Sequence, residues 1–280
     1  MMPTIQEARA YGHAALSGSL SPDVDVQFLL CHVLVCQPTR LMTTPEAELT
    51  ESQWQQFVDL IARRSQGEPV AHLTGSRGFW SLDLDVDDST LIPRPDTELL
   101  VSLSLAKLEA GMTVADLGTG TGAIALSLAC EKPNVTIVAT DLQFAAVTLA
   151  RRNAHKHDLH NVSFLQMSWL EGFQPGCFDL IVSNPPYIRA DDPHLLQGDV
   201  RFEPRSALVS GEEGLDDIHC IAGQAYDRLK PGGWLLIEHG HDQSSQVQYC
   251  LQLTGFEAIS AHQDFGGNNR AVMAQRPEVG

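Results

Sequence analysis

Val114-Ala115-Asp116-Leu117-Gly118-Thr119-Gly120-Thr121-Gly122-Ala123 decides how the rest of the chain is read. An apolar run of strand length enters a glycine-rich turn, and small apolar residues then open a helix. Glycines at such a turn let the backbone bend sharply and let a ligand approach without meeting a Cβ. The pattern recurs downstream. After a first strand at Thr113–Leu117, strands are expected near Val135–Thr140, Val162–Gln166, Asp179–Ser183 and Trp234–Glu238. Helices are expected near Ala123–Cys130, Phe144–His155 and Leu215–Leu229. This alternation predicts an α/β domain, a Rossmann-like, mostly parallel sheet with helices on both faces. Two further apolar runs, Phe256–Ala261 and Arg270–Ala274, flank Gly266-Gly267-Asn268-Asn269 and read as a terminal antiparallel hairpin. The sheet would then have about seven strands.

Upstream of that domain the period changes. Ser21-Pro22 can serve as N-cap and first helical residue, and Val26, Leu29, Leu30, Val33 and Leu34 recur on one helical face. Thr50-Glu51-Ser52-Gln53 fits a capping box, opening a helix with Trp54, Phe57, Val58, Ile61 and Ala62 on a stripe. Residues 1–75 therefore read as a small helical bundle, assigned to substrate recognition. Residues 76–92, with Phe79, Leu82, Leu84 and Val86 in loose alternation, read as a β-hairpin linker. Residues 93–280 form the α/β domain. The stretch from Ile188 to Gly214, which includes Arg201, Phe202 and Arg205, is long for a connection in a compact domain and reads as a lid or partner-binding surface.

The glycine turn selects among cofactors. A dinucleotide fingerprint reads GxGxxG, and the spacing Gly118-x-Gly120-x-Gly122 departs from it at the last glycine. Asp116, before the first glycine, suits a site facing a cationic amino-acid moiety. Asp141 ends the next strand, where a carboxylate can accept hydrogen bonds from both hydroxyls of a ribose. One strand further, Met167-Ser168-Trp169 falls where an adenine ring would lie. Gly118, Thr119, Gly120, Thr121, Gly122, Asp141 and Trp169 thus favour S-adenosylmethionine over a dinucleotide.

Asn184-Pro185-Pro186-Tyr187 follows the fourth strand. Each proline fixes its own φ and holds its predecessor extended. The Asn184 side-chain oxygen and the Pro185 carbonyl can each accept one hydrogen of an NH₂ group, which would aim its nitrogen at a sulfonium methyl. Tyr187 can stack on a flat amide or base and exclude water. Asn184, Pro185 and Tyr187 are the expected catalytic residues, and Asn184, Pro185, Pro186 and Tyr187 the expected substrate pocket. On these residues alone the target nitrogen is an amide or an exocyclic amine.

With these motifs in hand, the chain resembles the bacterial release factor glutamine methyltransferases (the HemK-type family). The likeness runs through Ile92-Pro93-Arg94-Pro95-Asp96-Thr97-Glu98, the Asp116–Gly122 turn, Asn184–Tyr187 and Gln197-Gly198-Asp199-Val200-Arg201-Phe202-Glu203-Pro204, to Asp264-Phe265-Gly266 and Arg270. It implies a class I methyltransferase domain behind a small N-terminal helical domain. It also implies methylation of the N5 amide of the glutamine in the Gly-Gly-Gln motif of class-one peptide-chain release factors. By that likeness Gly118 to Gly122, Asp141, Trp169 and Asn184 would hold the cofactor, with Arg94 and Pro95 near its methionine end. Asn184 would touch both cofactor and substrate.

Composition narrows the field. The net charge of −17 disfavours a surface that grips phosphates, because such binding draws on basic side chains and released counterions. The one close basic group, Arg151-Arg152 with Lys156, reads as a solvated helix face. An N6-adenine DNA or RNA methyltransferase could use the same tetrapeptide but would have to flip its base out. A non-catalytic binding module on the same scaffold is the rival from another class. The six cysteines, 31, 36, 130, 177, 220 and 250, lack CxxC spacing and read as buried free thiols. His239 and His241 have no further partners at metal-site spacing, so no metal is expected. No apolar run would span a bilayer and no secretory leader is evident, so the expected location is cytoplasmic.

Overall fold

The computed structural model describes residues 1–278. It comprises two compact units, one of Met1–Ser76 with Leu196–Phe202 and one of Arg77–Leu195 with Glu203 onward. The first is helical. Its elements are α1 (Ile5–Ala15), α2 (Pro22–Leu34), α3 (Pro38–Thr43), α4 (Glu51–Ser65) and α5 (Val70–Thr74). Thr4 with Glu7 and Thr50 with Gln53 form reciprocal capping boxes at α1 and α4, satisfying backbone donors that a helix start leaves open. Leu29, Leu30 and Val26 of α2 meet Phe57, Leu60 and Ile61 of α4 in one core. The α4 stripe differs from the expected one: Leu60 is buried, whereas Ala62 faces solvent. Arg64 ties this unit together, reaching buried Asp25 and also Asp199, each at 2.8 Å.

The second unit begins within the hairpin of β1 (Ser76–Phe79) and β2 (Leu82–Asp85), which is followed by α6 (Glu98–Leu105). The α/β core then runs β3 (Thr113–Leu117), α7 (Ala123–Glu131), β4 (Thr136–Asp141), α8 (Phe144–Lys156), β5 (Val162–Gln166), β6 (Phe178–Ser183) and α9 (Asp216–Arg228). It closes with β7 (Leu229–Glu238), α10 (Ser244–Thr254), β8 (Glu257–Gln263) and β9 (Asn269–Gln275). The sheet order is β5-β4-β3-β6-β7-β9-β8. The first five strands pair in parallel, while β9 is antiparallel to both β7 and β8. The seven strands, their direction and the terminal hairpin are as the sequence predicts.

Strand side chains alternate between two cores, the period-two pattern of a sheet buried on both faces. Val114, Leu180, Val182 and Leu236 join α6, α7 and α8 in one core. Ala115, Leu117, Ile181, Leu235 and Ile237 join α9 and α10 in the other. The chain winds from β3 outward to β4 and β5, then returns to the far side of β3 as β6. That reversal leaves a crevice beyond the carboxyl ends of β3 and β6, where ligands of open α/β sheets bind.

Two expectations are corrected. None of the cysteines is fully buried, and Cys130 and Cys220 are exposed, because each sits on the outer side of a helix whose apolar side faces the sheet. The Arg152 and Lys156 face of α8 is also not merely solvated. Arg152 pairs with Asp85 at 3.1 Å, and Lys156 with Asp83 and Asp85 at 3.1 and 2.7 Å, so the acidic β2 hairpin neutralises the basic group. No helix among the described residues is long and apolar enough to cross a membrane.

The fully buried Ile181 sits in the central parallel strand. Ile181→Ala should lower unfolding stability by about 2–5 kcal/mol, through lost transfer energy and a cavity. Chemical denaturation followed by tryptophan fluorescence measures this, and a loss below about 1 kcal/mol would mean the site collapses without cost.

Candidate functional site

The register Leu117↔Ser183 between β3 and β6 brings the glycine turn and the tetrapeptide side by side, each beginning one residue later. A cavity of about 310 Å³ opens there, of a size that takes a small ligand. Gly118 to Thr121, Asp141 to Gln143, Met167 to Trp169, Asn184 and Pro186 line it. Thr90, Arg94, Thr97, Ala207 and Asp217 also border it.

The turn is held from below and from the side. Asp116 is only 1% exposed and does not line the cavity. Its Oδ2 accepts from Thr119 Oγ1 at 2.7 Å and from the Ala125 amide at 3.2 Å, so it braces the turn rather than facing a ligand. Burial pushes its carboxyl up to about 6, although both hydrogen bonds pull the other way. From the side, the Thr119 amide donates to the Thr140 carbonyl and the Gly120 amide to Asp141 Oδ2, at 2.9 and 3.0 Å. Gly118 and Gly120 have φ of +68° and +55°, where side chains are strained. A Cβ on Gly118 would also lie 3.3 Å from the Trp169 ring, at the edge of the cavity.

Asp141 is positioned by strand β4 and by backbone donors at both oxygens, since Gln143 donates to Oδ1 at 2.9 Å. Burial raises its carboxyl above the ordinary range, with the amides of Gln143, Gly120 and Leu142 opposing. An ionised carboxylate has about four acceptor positions, so two amide bonds leave capacity for a diol. Trp169 has φ of +44°, uncommon for a bulky residue, and the Thr140 hydroxyl donates to its carbonyl at 3.1 Å. Such strain concentrates at functional sites. A carboxylate with spare acceptor capacity at a strand end, an indole on the same cavity, and Gly118 and Gly120 in its lining fit the adenosyl half of S-adenosylmethionine.

Asn184 donates from Nδ2 to Thr97 Oγ1 at 3.1 Å. Its Oδ1 makes no hydrogen bond among the described residues, and Asn184 lines the cavity. Pro185 and Tyr187, in contrast, do not line this cavity. The Tyr187 ring packs against the core under α9 and α10, and its hydroxyl donates to Glu238 Oε1 at 3.2 Å. Burial raises the Tyr187 phenol well above its ordinary range, so it stays a donor. Gln243 donates to the Tyr187 carbonyl at 3.0 Å and fixes the backbone after the prolines. Arg94 grips both oxygens of Glu203 at 2.7 and 2.8 Å, tying a cavity-lining residue to the Ile188–Gly214 connection.

Thr97, Glu238 and Gln243 did not emerge as site residues from the sequence. One signal for Glu238 was present: like Asp141, it is an acid that ends an otherwise apolar strand.

Residues 7–75 match the PrmC N-terminal domain family, and residues 95–197 match the methyltransferase small domain family. A release factor glutamine methyltransferase of Salmonella typhimurium is 50% identical over 261 residues, covering 93% of this chain and 94% of that protein. The Escherichia coli protein of the same name is 47% identical, with the same coverage of each chain. Among solved structures, a methyltransferase from Pyrococcus furiosus superposes with a TM-score of 0.55 at 18% identity, covering 77% of this chain and 97% of that one. A ribosomal protein L11 methylase from Lactobacillus delbrueckii subsp. bulgaricus gives 0.51 at 20% identity, covering 69% and 84%. At such identities the solved structures speak for the fold alone, whereas half of all residues shared along nearly the whole of two chains speaks for common descent. The chain belongs to the release factor glutamine methyltransferase family, enzymes that depend on S-adenosylmethionine.

Proposed function

We propose that this protein methylates the side-chain amide nitrogen of the glutamine in the Gly-Gly-Gln motif of class-one release factors. The observation that carries this reading is the Asn184 carboxamide. Its NH₂ is committed to Thr97, its oxygen has no hydrogen-bond partner among the described residues, and Asn184 lines the cavity together with the glycine turn. In that orientation Asn184 presents an acceptor, which is what an incoming NH₂ requires.

In this reading Gly118 to Gly122, Asp141, Trp169 and Asn184 hold S-adenosylmethionine, which when bound supplies an electrophilic methyl on a sulfonium. The chain's own residues bind, orient and dry the amide. Asn184 Oδ1 and the Pro185 carbonyl each accept one amide hydrogen, turning the nitrogen toward the cofactor. An amide lone pair is delocalised and weakly nucleophilic, so a fixed near-attack geometry contributes much of the acceleration. Pro186 walls the amide on the cavity side. Tyr187 acts from behind, where its ring and its bond to Glu238 hold the tetrapeptide open.

The helical unit, residues 1–75, serves to recognise the release factor, and residues 76–92 connect it to the catalytic domain, 93–280. The connection from Ile188 to Gly214 serves as a partner-binding surface. Its ends are pinned by the Ile188 amide to Leu208 and by Ser210 to Ile188, while Leu196 between them is 78% exposed. A nucleic-acid substrate is disfavoured by the charge of −17 and by the pairing of Arg152 and Lys156 with aspartates. With a release factor as substrate goes a cytoplasmic location.

Incubation with methyl-labelled cofactor and purified release factor, followed by mass spectrometry of the Gly-Gly-Gln peptide, tests the reading. One added methyl on that glutamine is expected; label on DNA, RNA or another residue would refute it. Asn184→Ala should reduce kcat by roughly 10²-fold or more and weaken cofactor affinity far less, as expected for losing a transition-state positioning contact. Asp141→Ala should act in the opposite sense. It should weaken S-adenosylhomocysteine binding by roughly 10–100-fold in calorimetry, the scale of lost charged hydrogen bonds. Undiminished affinity would exclude the diol role.

A further inference from the structure

Among the described residues, Arg94 is the one basic residue that lines the cavity; the other charged residues there, Asp141 and Asp217, are carboxylates. S-adenosylmethionine carries a single anionic group, the α-carboxylate of its amino-acid head. The glycine turn has few donors left for it. The Thr119 and Gly122 amides are committed to the Thr140 and Thr119 carbonyls, at 2.9 and 2.8 Å. The Gly120 amide is committed to Asp141 Oδ2 at 3.0 Å. A guanidinium in the lining is then the strongest partner for a carboxylate, through charge-assisted hydrogen bonds.

The backbone under Arg94 is stiff, and its side chain is not. Pro93 and Pro95 flank it, and the second holds it extended, at φ −99° and ψ 142°. The long side chain still has to be aimed, because it has many rotamers to lose. Glu203 supplies the restraint. It lies 109 residues further along, and Pro204 restricts its backbone in the same way. Its side chain is fully buried, whereas that of Arg94 is 33% exposed. Arg94 Nη2 donates to both Glu203 oxygens, at 2.7 and 2.8 Å. The Nε hydrogen and the Nη1 hydrogens remain, and they form no hydrogen bond among the described residues.

We propose that Glu203 is a positioning residue, which holds Arg94 by one nitrogen so that the rest of the guanidinium meets the α-carboxylate of S-adenosylmethionine. The division of labour needs the planar fork of arginine. A lysine keeps the charge but offers it from one nitrogen, which cannot be gripped at one end and donate from the other. A glutamine at 203 keeps the shape but loses the charge and one acceptor, so the guanidinium is no longer fixed from behind. The inference rests on the proposed cofactor site and is independent of the release factor.

The full-length protein is titrated calorimetrically with S-adenosylhomocysteine and with its decarboxylated analogue, which keeps the adenosine, the thioether and the amine. Wild type should prefer S-adenosylhomocysteine by about tenfold or more, the scale of a charge-assisted hydrogen bond. Glu203→Gln and Arg94→Lys should each weaken S-adenosylhomocysteine about tenfold or more, yet leave the analogue within about threefold, so that the preference is largely lost. Asp141→Ala should weaken both ligands alike and keep the preference. A merely structural role for the pair would also weaken both alike. Should Glu203→Gln fail to fold, Glu203→Asp, with the charge on a shorter stem, is compared in the same way. Equal weakening of the two ligands by the Glu203 variant, an unchanged affinity for S-adenosylhomocysteine, or a wild type without the preference overturns the inference. Transfer to glutamine is followed on the same preparation. Its absence with the ligand preference intact overturns the proposed function and leaves this inference standing, whereas a wild type that binds neither ligand overturns both.

Discussion

The parallel pairing of β3 with β6 is the interaction on which the site depends. It sets Leu117 beside Ser183, and the next residue on each strand, Gly118 and Asn184, begins a loop that serves the cavity. A slip of one residue would turn every side chain of one strand to the wrong core, so the register is protected by both cores at once. Val114 and Val182 must face α7 and α8, while Leu117 and Ile181 must face α9 and α10. Packing energy spread over two cores thus fixes a geometry that a few polar contacts could not hold alone.

Onto that frame the chain sets three acids, Asp116, Asp141 and Glu238, near the carboxyl ends of β3, β4 and β7. Each is raised by burial, and each is answered by donors of a different kind. Asp116 receives the Thr119 hydroxyl and a helix-start amide, and it stiffens the glycine turn. Asp141 receives amides only, keeping acceptor capacity toward the cavity. Glu238 receives the Tyr187 hydroxyl and braces the tetrapeptide from behind. Similar residues at similar strand ends serve distinct tasks because their donors differ.

Much of this was legible in the sequence where local periodicity carries the information. All seven strands of the sheet, the glycine turn and the tetrapeptide are short contiguous patterns, and they predict the fold and the location of the cavity. Helix α6 escaped because Glu98–Leu105 is short and apolar almost all round, giving no clear amphipathic stripe. The roles of Thr97 and Glu238 escaped for another reason. Their partners lie 87 and 51 residues away in the chain, and only the β3–β6–β7 order brings them together. Asp116 shows that a motif position does not specify direction: the residue stands before the turn as expected, but its side chain points beneath the turn. The cysteines show that apolar neighbours in sequence do not imply burial, since helices such as α7 and α9 carry an outer face.

A crystal structure of the protein with S-adenosylhomocysteine and a Gly-Gly-Gln peptide tests the central claim, that one cavity at the β3–β6 junction brings cofactor and amide together. The account predicts the ribose hydroxyls on Asp141, the adenine at Trp169, and the glutamine NH₂ between Asn184 Oδ1 and the Pro185 carbonyl. An amide bound elsewhere, or an Asn184 carboxamide turned to present its NH₂, would contradict it.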